Sequence, residues 1–343
     1  MTTLHMNLGE RGYDIHIGRG LIDKAGELFN LKRRTFIVTD SGVPKEYAER
    51  VAACAEVAKI VTVPEGEGSK SLEVYGRLLA EMAEFGLTRT DCAVAVGGGV
   101  VGDLTGFLAA SYMRGIDFYN LPTTVLSQVD SSIGGKTAIN LSGIKNIVGA
   151  FHQPRGVIVD IDTLKTLPKR QVANGLAEAL KMSLTSDSEL FSLFESEEIS
   201  DSNIERVITS ALKIKKAVVE EDECESGIRK ILNFGHTFGH AVEAEEEMHG
   251  FYHGECVAIG MLPVCSPEVR ARLVPVLKRL SLPYSYAGNI ERALGFISHD
   301  KKCDGDKISI VLVNKIGSYE IKKMTVSEFA EMVRNTAFLE VFI

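Results

Sequence analysis

A glycine triplet between an apolar run and a helical run constrains the fold of this chain more than any other stretch. Residues 92–112 read CAVAVGGGVVGDLTGFLAASY, in which a continuously apolar segment leads into Gly97, Gly98 and Gly99. This order is typical of a buried strand that passes through a tight turn into a helix. Glycines at such a turn let the backbone approach a pyrophosphate, and the helix N–H groups then face it. The stretch predicts a nucleotide-binding α/β domain, although a plain strand–helix turn remains open because the glycine order differs from G-x-G-x-x-G.

Hydrophobic patterning extends this prediction along the chain. Strand-like runs occur at 13–17, 34–40, 59–64 and 156–164, and helical spacing occurs at 21–29, 44–58 and 71–86. From about residue 165 helical patterns dominate, at 171–195 and 203–221. Near the C-terminus, ISIVLVN and GSYEIKKM predict a hairpin. The chain is therefore expected to hold two domains, an α/β domain over 1–164 and a mainly α-helical domain over 165–343.

Composition excludes several classes of partner. Hydrophobic residues make up 45% of the 343 residues and charged residues 24%, as in an ordinary globular protein. The formal net charge of -8 argues against a nucleic-acid binder or an anionic-membrane binder. No apolar run approaches the ~20 residues of a membrane span, and the N-terminus lacks the apolar core of a signal peptide. The six cysteines show no paired spacing, so we expect reduced thiols and a cytoplasmic protein.

Four of the eight histidines lie within residues 229–255, RKILNFGHTFGHAVEAEEEMHGFYHGE. His236 and His240 stand four apart in a helical run, so their rings share one face and could bind one metal ion. A single histidine would more simply be a solvated residue, but this density favours a metal or anion site. The residues leave the third ligand open among His249, His253, Glu243, Glu255 and a residue elsewhere in the chain.

Other polar residues indicate a binding site less specifically than the histidines do. Asp40 ends a strand-like run, where a nucleotide-binding sheet places a ribose-binding carboxylate, but an aspartate that caps a loop is at least as simple. The GGKT sequence at 134–137 lacks the first glycine of a P-loop frame, so we do not predict an NTPase; Lys136 and Lys145 could still meet a phosphate. Glu178 and Lys181 share a helix face, and alone they would be read as a surface ion pair.

Seven motifs together resemble the 3-dehydroquinate synthase family. In chain order they are GGGVVGD, PTTVLSQVDSSIGGKT, LKTLPKRQ, GLAEALK, LNFGHTFGHAVE, HGE and HDKK. Each motif is modest alone, but seven in order over nearly the whole chain are highly specific. The resemblance implies an N-terminal Rossmann-like NAD-binding domain and a mainly α-helical C-terminal domain that binds a metal. It also implies conversion of 3-deoxy-D-arabino-heptulosonate 7-phosphate to 3-dehydroquinate and phosphate, a step of aromatic amino-acid biosynthesis in the shikimate pathway.

The resemblance also implies the cofactors and their residues. A catalytic Zn²⁺ or Co²⁺ ion is expected on Glu178, His236 and His253, so the pair first suggested by helical spacing is divided, and His240 faces the phosphate. One carboxylate and two imidazoles with open positions suit such a metal. NAD is expected on Asp40, Glu67, Lys70, Gly98, Gly99, Val100, Asp103, Thr123, Thr124, Lys145, Thr163 and Thr166.

The substrate is a small anionic sugar phosphate, and the resemblance assigns it to a set of mainly cationic and polar residues. The phosphate is expected on Lys136, Asn146, Asn233, His240 and Lys301, with Arg114 reaching it from the neighbouring subunit of a homodimer. Lys215 and Arg229 would bind the carboxylate, and Asp130 and Lys181 the ring hydroxyls. The expected catalytic residues are Asp130, Lys136, Lys181 and His240.

The implied reaction does not consume NAD. The metal acidifies the C5 hydroxyl, NAD oxidises C5, and phosphate leaves by elimination. NADH returns the hydride, the ring opens, and an intramolecular aldol reaction closes the carbocycle. Two alternatives use similar cofactors: another sugar-phosphate cyclase, and a metal-dependent alcohol dehydrogenase such as glycerol dehydrogenase, which would release NADH.

Three features depart from the family pattern or compete with it. Gln171 stands where the family usually has glutamate. The segment 260–274 is shorter than the usual helix pair, which predicts a trimmed surface away from the chemistry. His249 could compete with His253 as a ligand, but only His253 is followed by the glycine and glutamate of the HGE motif.

Overall fold

The computed structural model describes residues 1–225, 227–245, 250–297 and 307–336. The chain divides into two compact units, Met1–Pro168 and Lys169–Ile343. The first contains most of the strands, and the second is mainly helical. The predicted α/β class, with a Rossmann-like N-terminal part and a helical C-terminal part, is confirmed.

The first unit is built on a seven-stranded sheet. Its spatial order is β1-β2-β9-β6-β5-β3-β4, so β1 and β4 are the edge strands. All neighbouring strands are parallel except β1 and β2. The strands of this sheet are β1 (Thr2–Met6), β2 (Tyr13–Gly18), β3 (Arg34–Asp40), β4 (Val57–Val63), β5 (Cys92–Gly97), β6 (Asp117–Pro122) and β9 (Gly156–Asp160).

Alternating side chains of the central strands supply two separate cores. In β3, Phe36 and Val38 face one core while Ile37 faces the other, because successive strand residues point to opposite sides of a sheet. The residues of β5 are buried on both faces, which explains their continuously apolar sequence. Four helices belong to this unit: α1 (Ala25–Leu28), α2 (Lys45–Ala52), α3 (Leu72–Glu84) and α4 (Gly99–Ser111).

Two local predictions in the first unit need correction. The helix predicted over 44–58 ends at Ala52, and the chain from Val57 to Val63 pairs with β3 instead. The alanine-rich sequence favours a helix locally, but pairing with the sheet prevails. The polar, glycine-rich segment at 118–154 also contains a hairpin that was not predicted, formed by β7 (Lys136–Leu141) and β8 (Ile144–Phe151).

The second unit has eight helices and one hairpin among its described residues. The helices are α5 (Lys169–Ser186), α6 (Ser188–Ser196), α7 (Ile204–Glu221), α8 (His236–Glu245), α9 (His253–Met261), α10 (Pro267–Arg279), α11 (Ile290–Ile297) and α12 (Val326–Arg334). The predicted hairpin is confirmed as antiparallel strands β10 (Lys307–Leu312) and β11 (Glu320–Thr325). None of the helices searched in the described ranges combines the length and apolarity that a bilayer crossing needs.

Candidate functional site

Glycines bring three helices of the second unit into close backbone contact. A Cβ atom on Gly260 of α9 would lie 1.9 Å from the Gly235 carbonyl oxygen, just before α8. A Cβ atom on Gly254, also in α9, would lie 2.0 Å from the Asn174 carbonyl oxygen of α5. No larger residue fits either place without moving backbone, so helices α5, α8 and α9 meet where their polar side chains converge.

Glu178, His236 and His253 converge at this junction, one from each helix. Glu178 Oε1 lies 3.7 Å from His236 Nε2 and 3.5 Å from His253 Nε2. Two donor atoms bound to one zinc ion at about 2.0–2.1 Å in tetrahedral geometry lie about 3.4 Å apart. The Glu178 side chain is only 2% exposed, and its Oε1 atom has no hydrogen-bond partner among the described residues. An unsatisfied buried carboxylate oxygen facing two imidazole nitrogens fits a divalent metal ion.

The Nδ1 atoms of the His236 and His253 rings each have a hydrogen-bond partner. His236 Nδ1 is 3.1 Å from the Phe234 carbonyl oxygen, so it donates there and Nε2 keeps its lone pair. His253 Nδ1 is 3.1 Å from Glu243 Oε2, which forms the carboxylate–histidine arrangement common around metal sites. Both contacts fix the ring orientation and direct the Nε2 atoms toward Glu178 Oε1.

The ionisation of the three residues follows from their surroundings. Burial alone would raise the pKa of the Glu178 carboxyl, but Lys181 and His253 outweigh burial and lower this pKa to about 2. Burial also disfavours charge on His253, yet Glu178 and Glu243 raise its pKa to about 10. Burial, reinforced by the charge of Lys181, lowers the pKa of His236 well below 6.5, so this ring is neutral at pH 7.

A wider set of donors surrounds the same point. His240, one turn after His236 in α8, places a ring nitrogen within the same 4.8 Å cluster as nitrogens of His236 and His253. The distances therefore allow both a three-imidazole ligand set and the predicted set with Glu178. Because Glu178 Oε1 is the buried atom that lacks a hydrogen-bond partner, we favour Glu178 as a ligand.

The other ligands considered from the sequence have different surroundings. Both carboxylate oxygens of Glu255 accept hydrogen bonds from Arg170, each at 2.7 Å, and Oε2 also accepts from the Tyr252 N–H. Glu255 thus caps the start of α9. Glu243 contacts the outer nitrogen of His253 rather than Nε2. His249 lies outside the described residues.

Lys181 is a buried cation beside the candidate metal site. Its side chain is 2% exposed, and Nζ lies 2.5 Å from Glu178 Oε2 and 2.7 Å from the Leu232 carbonyl oxygen. The pair is therefore not the surface ion pair that its spacing alone would suggest, because this face of α5 packs inside the second unit. One oxygen of Glu178 binds Lys181, and the other faces the histidines.

The remaining substrate residues predicted in this unit have distinct environments. Lys215 and Arg229 are buried, at 5% and 2% exposure. Arg229 donates to the Glu223 carbonyl oxygen, and the Asn233 amide donates to Glu225 Oε1 at 3.0 Å. Lys301 lies outside the described residues.

In the first unit, the glycine triplet forms the predicted turn from β5 into α4. Gly98 precedes α4, and no side chain caps the helix there. Its first turn carries no acidic residue, so its N–H groups face no competing carboxylate from that turn. A Cβ atom on Gly99 would lie 2.9 Å from Ser131 Oγ, and one on Gly98 would lie 3.2 Å from Thr124 Cγ2. Val100 follows in the first turn. This geometry fits a bound pyrophosphate.

Three other predicted residues cluster around the buried ammonium group of Lys70. Lys70 Nζ donates to Asp103 Oδ2 at 2.7 Å and to Asn146 Oδ1, and it lies 3.6 Å from Glu67 Oε1. The Lys70 side chain is 4% exposed. The cluster brings together residues from a loop, helix α4 and strand β8. Lys145, adjacent to Asn146, is exposed.

The threonines predicted to contact NAD lie in the segments that follow strands β6 and β9, and Thr163 and Thr166 belong to the 3-10 helix Ile161–Thr166. The Thr123 N–H donates to the Gly97 carbonyl oxygen at 3.0 Å. Thr163 accepts from Gln128 Nε2 at 3.1 Å, and Thr166 Oγ1 is 3.2 Å from the Tyr47 hydroxyl. Asp40, by contrast, accepts from the Gly42 N–H at 2.8 Å, so it does cap its own loop. Burial and the nearby Glu65 charge raise the pKa of Asp40.

The last three predicted residues are Asp130, Lys136 and Arg114. Asp130 lies in a π-helical turn, Ser127–Ser131, and Lys136 is exposed at the start of β7. Arg114 has φ +67° and follows Met113 with φ +50°, a conformation that residues other than glycine adopt at an energetic cost. Across the described ranges, Arg114 makes no hydrogen bond or ion pair. The guanidinium group of this turn is exposed.

Two asparagines that were not predicted organise these clusters. Asn174 Oδ1 accepts the Gly254 N–H at 2.6 Å, next to His253. Asn140 donates to Glu67 Oε1 and accepts the Asn146 N–H, both at 2.8 Å. Asn174 lies four residues before Glu178, which places both on one face of α5. This spacing is visible in the sequence. No sequence pattern linked either asparagine to its distant partner.

Comparisons with known proteins match most of the chain. The family model described as 3-dehydroquinate synthase N-terminal matches residues 60–174, and the one described as 3-dehydroquinate synthase C-terminal matches 175–303. A curated 3-dehydroquinate synthase from Enterococcus faecalis is 43% identical over 345 residues, covering 95% of this chain and 96% of the relative.

Solved structures show the same architecture. A 2-deoxy-scyllo-inosose synthase complexed with carbaglucose-6-phosphate, NAD⁺ and Co²⁺ has a TM-score of 0.88 and 26% identity, covering 98% of this chain and 100% of that one. A 2-epi-5-epi-valiolone synthase from Streptomyces hygroscopicus with NAD⁺ and Zn²⁺ bound has a TM-score of 0.84 and 26% identity, with 94% and 95% coverage.

Proposed function

The chain belongs to the 3-dehydroquinate synthase family, and from this membership we propose that it converts 3-deoxy-D-arabino-heptulosonate 7-phosphate to 3-dehydroquinate and phosphate. The family predicted from the motifs is confirmed. The enzyme is a phosphate-eliminating lyase of aromatic amino-acid biosynthesis that uses NAD and a divalent metal ion, Zn²⁺ or Co²⁺.

The observation that carries this proposal is the buried Oε1 atom of Glu178, which faces two imidazole nitrogens and has no hydrogen-bond partner among the described residues. Glu178, His236 and His253 would hold the ion, and its chemistry there is to acidify a substrate hydroxyl at neutral pH. NAD would supply reversible hydride transfer, with its pyrophosphate at the Gly98–Gly99 turn. The low pKa of Glu178 and the neutral His236 ring suit both groups for metal binding at pH 7.

The charged residues of the chain match a substrate with two anionic groups. Lys215 and Arg229, both buried, bind the carboxylate, because buried cations gain most from a charged partner. Asp130 and Lys181 orient the ring hydroxyls; the contacts of Lys181 with Glu178 and the Leu232 carbonyl oxygen hold its ammonium group in place. The phosphate binds Lys136, Asn146, Asn233, His240 and Lys301 and leaves while these residues hold its charge.

The same proposal includes a homodimer. Arg114 extends from a strained turn and makes no ion pair within the described part of its own chain. We expect it to reach the phosphate bound by a second copy, which would give this strained conformation a function.

The test measures phosphate release with NAD held well below the substrate concentration. Purified protein is incubated with zinc, NAD and the heptulosonate phosphate. Release of more phosphate than the NAD present supports a cycle in which NAD is regenerated. An absence of phosphate release, with net NADH formed from a simple polyol, would show an alcohol dehydrogenase instead.

Glucose 6-phosphate in place of the heptulosonate phosphate distinguishes the other cyclases. This sugar phosphate has no carboxylate, so Lys215 and Arg229 would face no anionic partner. We expect no phosphate release from it. Efficient release would contradict the assignment of the carboxylate-bearing substrate.

A further inference from the structure

Helix α9 carries His253 at its first position, and its start is held by side chains of helix α5. The first N–H groups of a helix have no partner within that helix. Here the Gly254 N–H donates to Asn174 Oδ1 at 2.6 Å, in a buried contact between residues 80 apart in sequence. Asn174 itself is 7% exposed. An asparagine of one helix thus caps the start of another.

The orientation of the Asn174 amide is determined by its two neighbours. Because the Gly254 N–H donates, the atom facing it must be the oxygen, which leaves Nδ2 to donate to Gln171 Oε1 at 3.2 Å. Gln171 lies one turn before Asn174 in α5. A glutamate at position 171 could accept the same hydrogen bond, so glutamine and glutamate are equivalent in this contact.

Asn174 also lies one turn before Glu178, about 6 Å along the axis of α5. Beside the Arg170–Glu255 pair, two neighbouring links therefore join α5 to α9: Asn174 to Gly254, and Glu178 to His253, whose facing atoms are 3.5 Å apart. Gly254 follows His253 directly in the chain. The first link fixes where the His253 backbone lies relative to α5, and hence where its ring meets Glu178.

Building on the proposed function, we infer that Asn174 is a positioning residue for the metal centre, with Gln171 fixing the orientation of its amide. The Asn174 side chain hydrogen-bonds to Gly254 and Gln171 rather than to the metal ligands, and it holds the Glu178–His253 separation near the value that one ion requires. Such outer contacts typically contribute 10- to 100-fold to metal affinity, because they organise the ligands before the metal binds.

The test measures the dissociation constant for Zn²⁺ by competition with a chelating indicator, and the visible absorption spectrum of the Co²⁺-loaded full-length protein. We expect Asn174→Ala to weaken Zn²⁺ binding by about 10- to 100-fold and to shift the Co²⁺ bands. Asn174→Asp keeps the acceptor for Gly254, so it should restore binding to within about threefold of the original protein.

Variants at position 171 test whether Gln171 fixes the orientation of the Asn174 amide. They can be measured even if Asn174→Ala does not fold. Gln171→Glu keeps an acceptor for the Asn174 amide and should bind Zn²⁺ as the original protein does. Gln171→Leu removes this acceptor and should bind Zn²⁺ more weakly. Equal Zn²⁺ affinity in these two variants would contradict the role of Gln171.

Asn203 of the same unit provides a matched control. Its Oδ1 accepts the Ser200 N–H at 2.9 Å, and its Nδ2 donates to Glu197 at 3.1 Å. Asn203→Ala should lower the melting temperature of the metal-free protein without changing Zn²⁺ affinity. If Asn174→Ala behaves in the same way, with an unchanged Co²⁺ spectrum, Asn174 only stabilises packing and the inference is wrong.

The wild-type measurement separates this inference from the proposed function. If the wild-type protein bound neither Zn²⁺ nor Co²⁺, the metal centre itself would be refuted, and the inference with it. If the wild-type protein binds one ion per chain and Asn174→Ala binds it equally well, the inference alone fails.

Discussion

At the scale of single residues, metal content can show which of the clustered histidines bind the ion. His253 faces Glu178 Oε1 through Nε2, so we expect His253→Ala to lose most of its zinc. His240→Ala should retain zinc while its turnover falls by about 10- to 100-fold, the usual cost of losing a hydrogen bond to a charged group. Metal analysis and phosphate release measure the two effects.

The opposite pattern would change the ligand assignment. Retention of zinc by His253→Ala and its loss from His240→Ala would exclude the set of Glu178, His236 and His253. Loss of zinc from both variants would favour the three-imidazole set that the 4.8 Å cluster allows. Neither result would alter membership of the family.

Ionisation of His253 predicts how the metal-free protein responds to pH. Its folded pKa of about 10 lies above the ordinary 6.5, so folding favours the protonated ring. This stabilisation is complete below pH 6.5 and is lost as pH rises from 6.5 through 10. Because 30% of the side chain is exposed, solvent screens the charges and reduces the effect.

Thermal unfolding of the metal-free protein between pH 6.5 and 10 tests this expectation. The melting temperature should fall with pH in the original protein, and should fall less steeply in His253→Gln, which cannot take up the proton. Parallel curves for the two proteins would show that His253 does not contribute to the pH dependence.

At the scale of elements, the contact between α8 and α9 depends on the absence of a side chain at Gly260. A Cβ atom there would meet the backbone of Gly235, which no rotamer change can relieve. We expect Gly260→Ala to lower the free energy of unfolding by about 1–3 kcal/mol or more and to weaken metal binding. Urea unfolding and zinc titration measure these losses.

Gly295 in α11 is the matched control for this substitution. A Cβ atom on Gly295 would meet nothing within 4 Å, and alanine favours a helix by about 1 kcal/mol over glycine. Gly295→Ala should therefore be neutral or stabilising. Similar stabilities for the two variants would mean that α8 and α9 can separate without cost.

The sequence predicted helices and strands best where the hydrophobic periodicity was strong and the interacting residues were close in sequence. Strand 34–40 and helices α3 and α7 were located to within a few residues. The β7–β8 hairpin was missed, although its two-residue turn, Ser142–Gly143, has positive φ at both positions and Ser-Gly is a known turn pair. The histidine cluster was predicted from its density in the sequence, and the family resemblance then added Glu178 and chose His236 and His253 as the ligands. Asn174 was not, because its partner lies 80 residues away and no periodic pattern connects them.

At the scale of the whole molecule, the predicted cofactor residues separate by unit. The residues proposed for NAD all lie within Met1–Pro168, and those proposed for the metal lie within Lys169–Ile343. We expect chelation of the metal to abolish phosphate release while the NAD dissociation constant changes by less than about threefold. Turnover should return when zinc is added.

Two measurements check that NAD binding does not depend on the metal. Calorimetric titration with NAD before and after chelation gives the affinity, and far-ultraviolet circular dichroism reports whether the helices persist. A large loss of NAD affinity with unchanged helical content would show that the two cofactor sites are coupled.

The position of β4 at the edge of the sheet also affects the tendency of the protein to aggregate. Its sequence, VAKIVTV, favours β structure, and Val57 and Ile60 are exposed. Lys59 is the one charge in this strand, and it lies on the same face as the buried Val61 and Val63, paired with Glu81 at 3.1 Å. An added strand would have to desolvate that charge, so Lys59 protects the edge against aggregation. Lys59→Val should raise light scattering at high concentration without reducing turnover per folded molecule.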